Sequence, residues 1–149
     1  MKFKFEDKFD YIQGDVLDLK ILCKKAGNST EIPYYWYDIV LKETEQSIGK
    51  ISIRIGHNYH SYYNGNIGYE VDKEFRGHGY SYIATKMVTD VARHHGMKKL
   101  ILTCDRDNIA SYKTIEKLGA VLKEIVLPPE DYFGFYAGMP EQRIYELDI

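Results

Sequence analysis

Residues 67–96 carry the pattern that most restricts how this chain can fold, because a strand, a glycine-containing loop and a helix follow one another directly. From Ile67 to Val71, large apolar residues alternate with Gly68 and Glu70, which is the period of a strand. Apolar residues then recur at the spacing of one helix face: Tyr80, Ile83, Ala84, Met87, Val88, Val91 and Ala92. This segment therefore predicts a helix packed on a sheet immediately after the strand.

The loop between strand and helix, residues 76–81, reads Arg-Gly-His-Gly-Tyr-Ser. Glycines here allow backbone N–H groups to approach a ligand, and the start of the helix adds unpaired donors and a positive dipole end. This combination favours a phosphate site. A dinucleotide site requires a third glycine where Tyr82 stands, and the lysine-containing nucleotide loop is absent.

Three motifs in order resemble those of the GNAT superfamily of N-acetyltransferases. Arg76 to Ser81 is similar to its pyrophosphate-binding R-x-x-G-x-[GA] motif, with serine where glycine or alanine is usual. Residues 108–111 resemble its N-x-x-[AS] element, and residues 116–120 its E-K-x-G-[FA] element. The resemblance extends over roughly residues 34–127 and is specific because the three motifs are separated by one helix and one strand.

The resemblance implies an α/β fold in one domain, residues 1–149, with a mixed, mostly antiparallel twisted sheet and flanking helices. The strand–helix–strand segment from 66 to 104 predicts a parallel pair of strands. Strands at 66–72 and 98–104 are expected to diverge around the reacting group.

The remaining pattern of the chain predicts further elements. Strands are expected at 2–12, 34–42, 48–55, 121–127 and 143–147; helices at 14–26 and 108–118; a hairpin at 44–47; and loops at 56–65, which is rich in aromatic residues, and at 132–141.

The resemblance implies acetyl-CoA as the acetyl donor. Backbone groups near Val71 are expected to pair with its pantetheine arm, and N–H groups from Gly77 to Ser81 to bind its pyrophosphate. Arg76 is expected to anchor the loop or the phosphates. The predicted cofactor-binding residues are Val71, Arg76, Gly77, His78, Gly79, Tyr80, Ser81, Asn108 and Ser111.

Acetyl transfer needs a proton for the departing thiolate. Many relatives use a tyrosine seven residues after the motif asparagine, where this chain has Ile115. The pattern is closer to the branch that acetylates protein N-termini, including ribosomal ones, in which a serine at the position of Ser111 is the proposed acid. The alternative is that Ser111 only satisfies a backbone N–H at the helix start.

The amine must also lose a proton, and two carboxylates are candidates for the base. Glu70 lies on the central strand beside Val71, and Glu130 follows the strand after the second helix. The alternative to a catalytic role is that Glu70 is a salt-bridged residue on the face of the sheet and that Glu130 lies in a solvated turn. No dedicated base is needed if the pKa of the amine is already low.

The predicted reaction is transfer of an acetyl group from acetyl-CoA to an amine, in a small molecule or a peptide, by direct attack in a ternary complex. Residues 56–65 and 128–140 are expected to form the walls of the acceptor pocket. The missing tyrosine motivates a different hypothesis, in which the protein is a non-catalytic acyl-CoA-binding sensor or regulatory module.

Composition excludes several other classes. The net charge is −2, which disfavours nucleic acid and anionic membranes as partners. Cys23 and Cys104 form no ligand pattern, and His57 with His60 lacks a third ligand, so no metal is expected. The cysteine usage and the absence of an apolar N-terminal segment predict a cytoplasmic protein, and a homodimer is left open.

Overall fold

The computed structural model describes residues 3–149 and contains eight strands and three α-helices in that part of the chain. The strands are β1 (Tyr11–Gln13), β2 (Leu17–Lys25), β3 (Tyr34–Leu41), β4 (Ser47–Arg54), β5 (Ile67–Val71), β6 (Lys99–Asp105), β7 (Val121–Val126) and β8 (Gln142–Asp148). The helices are α1 (Tyr59–Asn64), α2 (Tyr80–His94) and α3 (Ile109–Lys117).

The strands form two antiparallel sheets. The first has five strands in chain order from β1 to β5, and the second has three strands in the order β6, β8, β7. Helix α2 packs on β2, β4 and β5, and its inner face is fully buried at Ala84, Val88, Val91 and Ala92. This confirms the mixed, mostly antiparallel α/β fold with flanking helices.

The predicted helix over residues 14–26 is wrong, because this segment is strand β2. Leu17 and Leu19 are fully buried, whereas Lys20 and Leu22 are exposed, which is the alternation of a strand. The exposed Leu22 made the apolar pattern resemble a helix. Pairing with β3 along its length and with β1 at residues 18–20 decides the conformation, because a position between two strands overrides local propensity.

The N-terminal strand is shorter than the predicted range of 2–12. Residue 2 lies outside the described residues, and the first strand is Tyr11–Gln13. Phe3 and Phe5 are not in a strand; the Phe5 ring packs edge-on against Tyr35, with 5.0 Å between the ring centroids. The alternation of Phe3 and Phe5 therefore reflects a segment that covers the core without joining the sheet.

The predicted aromatic loop at 56–65 contains a short helix, α1. The Asn58 side chain accepts a hydrogen bond from Ser61 N, and Ser61 Oγ accepts one from Asn58 N, which is a complete capping box. The predictions for residues 34–55, for the strand at 66–72, for helix α2 and for residues 98–127 are confirmed within two residues at each element boundary.

The predicted parallel pairing of β5 and β6 is confined to one point in front of β5. Asn66 is fully buried; its N–H donates to Ile101 O at 2.6 Å, and its Oδ1 accepts from Ile101 N at 2.8 Å. Beyond it the two strands belong to different sheets. The divergence expected from the sequence therefore begins at Asn66, and it leaves a gap between the sheets.

Replacing Asn66 with alanine is expected to reduce the free energy of unfolding by about 3 kcal/mol, because one buried and two partly buried backbone groups lose a partner. These are Ile101 N and the carbonyls of Arg54 and Gly56, which accept from Asn66 Nδ2 at 3.0 and 2.8 Å. Denaturant unfolding measures the loss. The exposed amide of Asn28 serves as control, and equal losses for Asn28→Ala and Asn66→Ala would contradict the prediction.

Candidate active site

The loop that precedes α2 is held open by two glycines. Gly77 has φ +86° and Gly79 has φ +76°, a region that side chains other than glycine rarely adopt. A Cβ atom at either position would meet no atom within 4 Å, so the surface above the loop is free. The loop is anchored to the end of β5, because Arg76 Nε donates a hydrogen bond to Val71 O at 2.9 Å.

Backbone donors in this loop are unpaired within residues 3–149. In the described residues, no N–H group from Gly77 to Tyr82 has an acceptor, and Gly79 caps α2 without a side-chain hydrogen bond. The helix behind them is 15 residues long, so its positive dipole end adds to the donors. These groups fit a diphosphate, since they offer several N–H donors and lack side chains that would block it.

The loop forms one wall of a cavity of about 420 Å³. The start of α3 forms the opposite wall. Of the predicted cofactor-binding residues, this cavity brings together Val71, Arg76, Gly77, Gly79, Tyr80, Ser81, Asn108 and Ser111. His78 does not line it; its ring stacks on Tyr80, with 5.4 Å between the ring centroids.

Ser111 does not cap α3 with its hydroxyl. The cap is Asn108, whose Oδ1 accepts a hydrogen bond from Ser111 N at 3.2 Å. The Ser111 hydroxyl is therefore not needed to begin the helix. Ile115, which stands where many GNAT relatives have a tyrosine, is 3% exposed and packs in the core.

Tyr69 is a site residue that the sequence interpretation missed. Its hydroxyl lies close to the hydroxyls of Ser111, Thr114 and Ser81, which line the same cavity, so β5, α2 and α3 meet at this point. Burial raises the pKa of Tyr69 above its usual value, and the hydroxyl keeps its proton at neutral pH. The sequence could have indicated Tyr69, because the alternation of side chains in β5 places it on the same face as Val71, a predicted cofactor-binding residue.

A second cavity, of about 280 Å³, adjoins the first. Tyr69, Asn108 and Ser111 line both cavities. Asn64 is the one residue of the predicted acceptor wall at 56–65 that lines the second cavity, and no residue of 128–140 does so in the described structure. The junction at Ser111 is thus accessible from two sides.

The two candidate bases lie in different surroundings. Glu70 is exposed, lines the first cavity and pairs across the strands with Lys50. Glu130 is exposed in the turn after β7 and lines neither cavity. Its neighbour Asp131 accepts a hydrogen bond from the Tyr59 hydroxyl, which ties this turn to α1.

Other kinds of site receive no support from residues 3–149. In that range no group of three His, Cys, Asp or Glu side chains is arranged to hold a metal ion. No helix there has the length and apolar character needed to span a bilayer. Both cysteines are free, and burial raises the pKa of Cys104, which lines the second cavity, to about 11.

Solved acetyltransferase structures have a similar fold. A candidate ribosomal-protein-serine acetyltransferase from Vibrio cholerae aligns over 93% of this chain and 97% of its own, with 16% identity and a TM-score of 0.66. The microcin C7 self-immunity acetyltransferase MccE, solved with acetyl-CoA and AMP, aligns over 78% of this chain and 61% of its own, with 23% identity and a TM-score of 0.59. RimL, a ribosomal L7/L12 alpha-N-protein acetyltransferase solved with coenzyme A, aligns over 78% of this chain and 62% of its own, with 21% identity and a TM-score of 0.59.

This chain spans less than two thirds of the length of the last two structures. No curated protein sequence matches it. The family model of the acetyltransferase (GNAT) domain matches residues 10–121, which include the glycine loop, both walls of the first cavity and the whole of α3. The chain therefore belongs to the GNAT acetyltransferase domain family.

Proposed function

We propose that the protein transfers the acetyl group of acetyl-CoA to an amine by direct attack in a ternary complex. The observation that carries this proposal is the junction of two cavities at Tyr69, Asn108 and Ser111. The first cavity has the unpaired N–H donors that suit a diphosphate, and the second gives an acceptor access to the same point. MccE and RimL, which share the fold, were solved with acetyl-CoA and coenzyme A.

Bound acetyl-CoA supplies an activated thioester carbonyl. Residues 77–82 hold its diphosphate through backbone N–H groups, and the backbone of Val71 and the Asn108 side chain, which line the same cavity, contact the pantetheine arm. Ser111 stands at the cavity junction, where it donates a proton to the leaving sulfur. Tyr69 lies close to Ser111 and orients its hydroxyl, and the proton that Ser111 gives up is restored from solvent.

The acceptor nitrogen loses a proton as it forms the new bond to carbon. Glu70 is the better placed of the two candidate bases, because it lines the first cavity, whereas Glu130 lines neither cavity. An intervening water would connect Glu70 to the amine. Cys104 is an unsuitable nucleophile for an acyl-enzyme, because a thiol with a pKa of about 11 is almost wholly protonated at neutral pH. This supports direct attack.

The whole chain, residues 1–149, is proposed to act as one acetyltransferase domain. Strand β8 lies beyond the matched residues, yet it pairs with both β6 and β7 and completes the second sheet. The acceptor is proposed to be a small molecule or a peptide, as the ribosomal-protein acetyltransferases of the same fold act on protein. The two free cysteines favour the reducing cytoplasm.

The decisive experiment is release of free thiol from acetyl-CoA in the presence of a panel of amines and peptides. Saturable turnover on at least one acceptor supports the enzyme. The buried Ile115 in place of tyrosine favours the alternative of an acyl-CoA sensor. Saturable binding of acetyl-CoA without turnover on any acceptor would favour that alternative and overturn the proposed function.

A further inference from the structure

The second cavity contains a cation that has no ionic partner in the described residues. Arg54, the last residue of β4, lines this cavity and forms no salt bridge with any carboxylate of residues 3–149. The single hydrogen bond of its side chain in that range runs from Nη1 to Gly65 O at 3.0 Å. A guanidinium has five N–H donors, so most of them remain available to a ligand.

The surroundings of Arg54 make an unpaired charge unfavourable. The side chain is partly buried, and burial lowers the pKa of the guanidinium below its usual value. The phenol of Tyr132 and the carboxylate of Glu31 influence the guanidinium only through space. A buried charge is normally compensated by an opposite charge, so an anion from outside the chain would complete this site.

The structure leaves room for such an anion beside Arg54. Gly68 lines the same cavity, and a Cβ atom at that position would lie 3.6 Å from Arg54 Nη2. Any larger side chain would occupy the space in front of the guanidinium. Alternate residues of a strand point to opposite faces, so Gly68 and Arg54 lie on the sheet face opposite Tyr69.

The cavity also contains one carboxylate. Asp105 lines it, and its Oδ1 accepts a hydrogen bond from Gln142 Nε2 at 2.7 Å. A cavity that contains both a cation and an anion matches a molecule with both charges. An amine acceptor that also carries an oxyanion has this property, with its ammonium form attracted by Asp105 before it is deprotonated.

We propose that Arg54 binds an oxyanion, a carboxylate or a phosphate, on the acceptor and so directs the amine of that molecule to the junction at Ser111. This inference rests on the proposed function, since it names the class of acceptor for the same site. The planar fork of an arginine suits both oxyanions, because it can donate two parallel hydrogen bonds to either. Arg54 is thus a specificity-determining residue.

Matched acceptor pairs test the inference. Glycylglycine is compared with its carboxamide, and phosphoethanolamine with ethanolamine. In the unmodified protein, kcat/KM for at least one oxyanion-bearing acceptor is expected to exceed that of its neutral partner by about 10-fold or more, as expected for a charge-assisted pair. The pair that shows the larger ratio distinguishes carboxylate from phosphate.

Arg54→Gln is expected to reduce the ratio of kcat/KM between the oxyanion-bearing acceptor and its neutral partner to within about twofold of unity. The main effect is a higher KM for the charged acceptor. Arg54→Lys is expected to retain part of the preference for the charged acceptor, because the charge remains while the fork is lost. Arg93→Gln is the matched control, since Arg93 is exposed on α2 and paired with Asp90. Turnover with equal ratios in unmodified and Arg54→Gln protein would overturn the inference and leave the proposed function standing.

A binding measurement keeps the inference testable even if no amine is acetylated. The Arg54 Nε–H signal in the NMR spectrum is followed while glycylglycine or phosphoethanolamine is added to protein saturated with coenzyme A. A saturable shift that glycylglycinamide and ethanolamine do not produce supports the oxyanion site. If neither charged probe shifts the signal, the inference is wrong whatever the outcome for turnover.

Discussion

Replacing Gly79 with glutamate is expected to weaken acetyl-CoA binding at least about 100-fold, because a carboxylate at this position repels the diphosphate and occupies its space. Gly79 is at the N-terminus of α2, where the chain otherwise offers only N–H donors and a positive dipole end. Isothermal calorimetry with acetyl-CoA measures the change. If Gly79→Glu bound acetyl-CoA with the same affinity as the unmodified protein, the assignment of the cofactor site would be wrong.

The effect on folding should be small in comparison. A Cβ atom at Gly79 meets no atom within 4 Å, so the main cost is the positive φ, roughly 1 kcal/mol. Gly96 provides a matched control, because it has φ +85°, equally open surroundings and a position at the other end of the same helix. Gly96→Glu should show a similar loss of stability and retain acetyl-CoA binding.

Replacing Ser111 with alanine is expected to lower kcat by about 100-fold while the affinity for acetyl-CoA changes little, since a general acid acts in the transition state. The helix start is preserved, because Asn108 Oδ1 accepts its hydrogen bond from the backbone N–H of Ser111, and the Ser111 hydroxyl takes no part in this cap. Steady-state kinetics together with calorimetry separate the two effects. Equal turnover in Ser111→Ala and unmodified protein would show that the hydroxyl is not the acid.

Tyr69→Phe tests whether the phenol acts through Ser111. Loss of the hydroxyl that orients Ser111 is expected to lower kcat by roughly 10-fold. In the double variant, the loss should be no larger than in Ser111→Ala alone, because residues that act as one unit are not additive. Fully additive losses would mean that Tyr69 contributes independently of Ser111.

Much of the fold could be predicted from the sequence wherever local period and long-range pairing agree. Helix α2 has an apolar face that recurs at helical spacing, and it forms where expected. Strand β2 is the main exception: the exposed Leu22 completed a helical pattern, and pairing with β1 and β3 overrode it. The aromatic segment before β5 likewise forms α1, because Asn58 and Ser61 cap each other.

The candidate site was only partly predictable for the same reason. The glycine loop and the start of α3 are continuous motifs, and they meet across the first cavity. Tyr69 and Arg54 lie on strands and belong to no motif. The importance of Tyr69 depends on the hydroxyls of two helices near it, and that of Arg54 on its having no salt bridge within residues 3–149.

The sequence by itself determined the family, the glycine loop before α2 and the missing tyrosine at Ile115, because each depends on residue types at fixed spacing along the chain. Only the tertiary structure decided how the two sheets diverge at Asn66, which hydroxyls lie near Tyr69, and that Arg54 has no salt-bridge partner among residues 3–149. These properties arise from contacts between residues far apart in sequence, and burial then sets the energetic cost of each polar group.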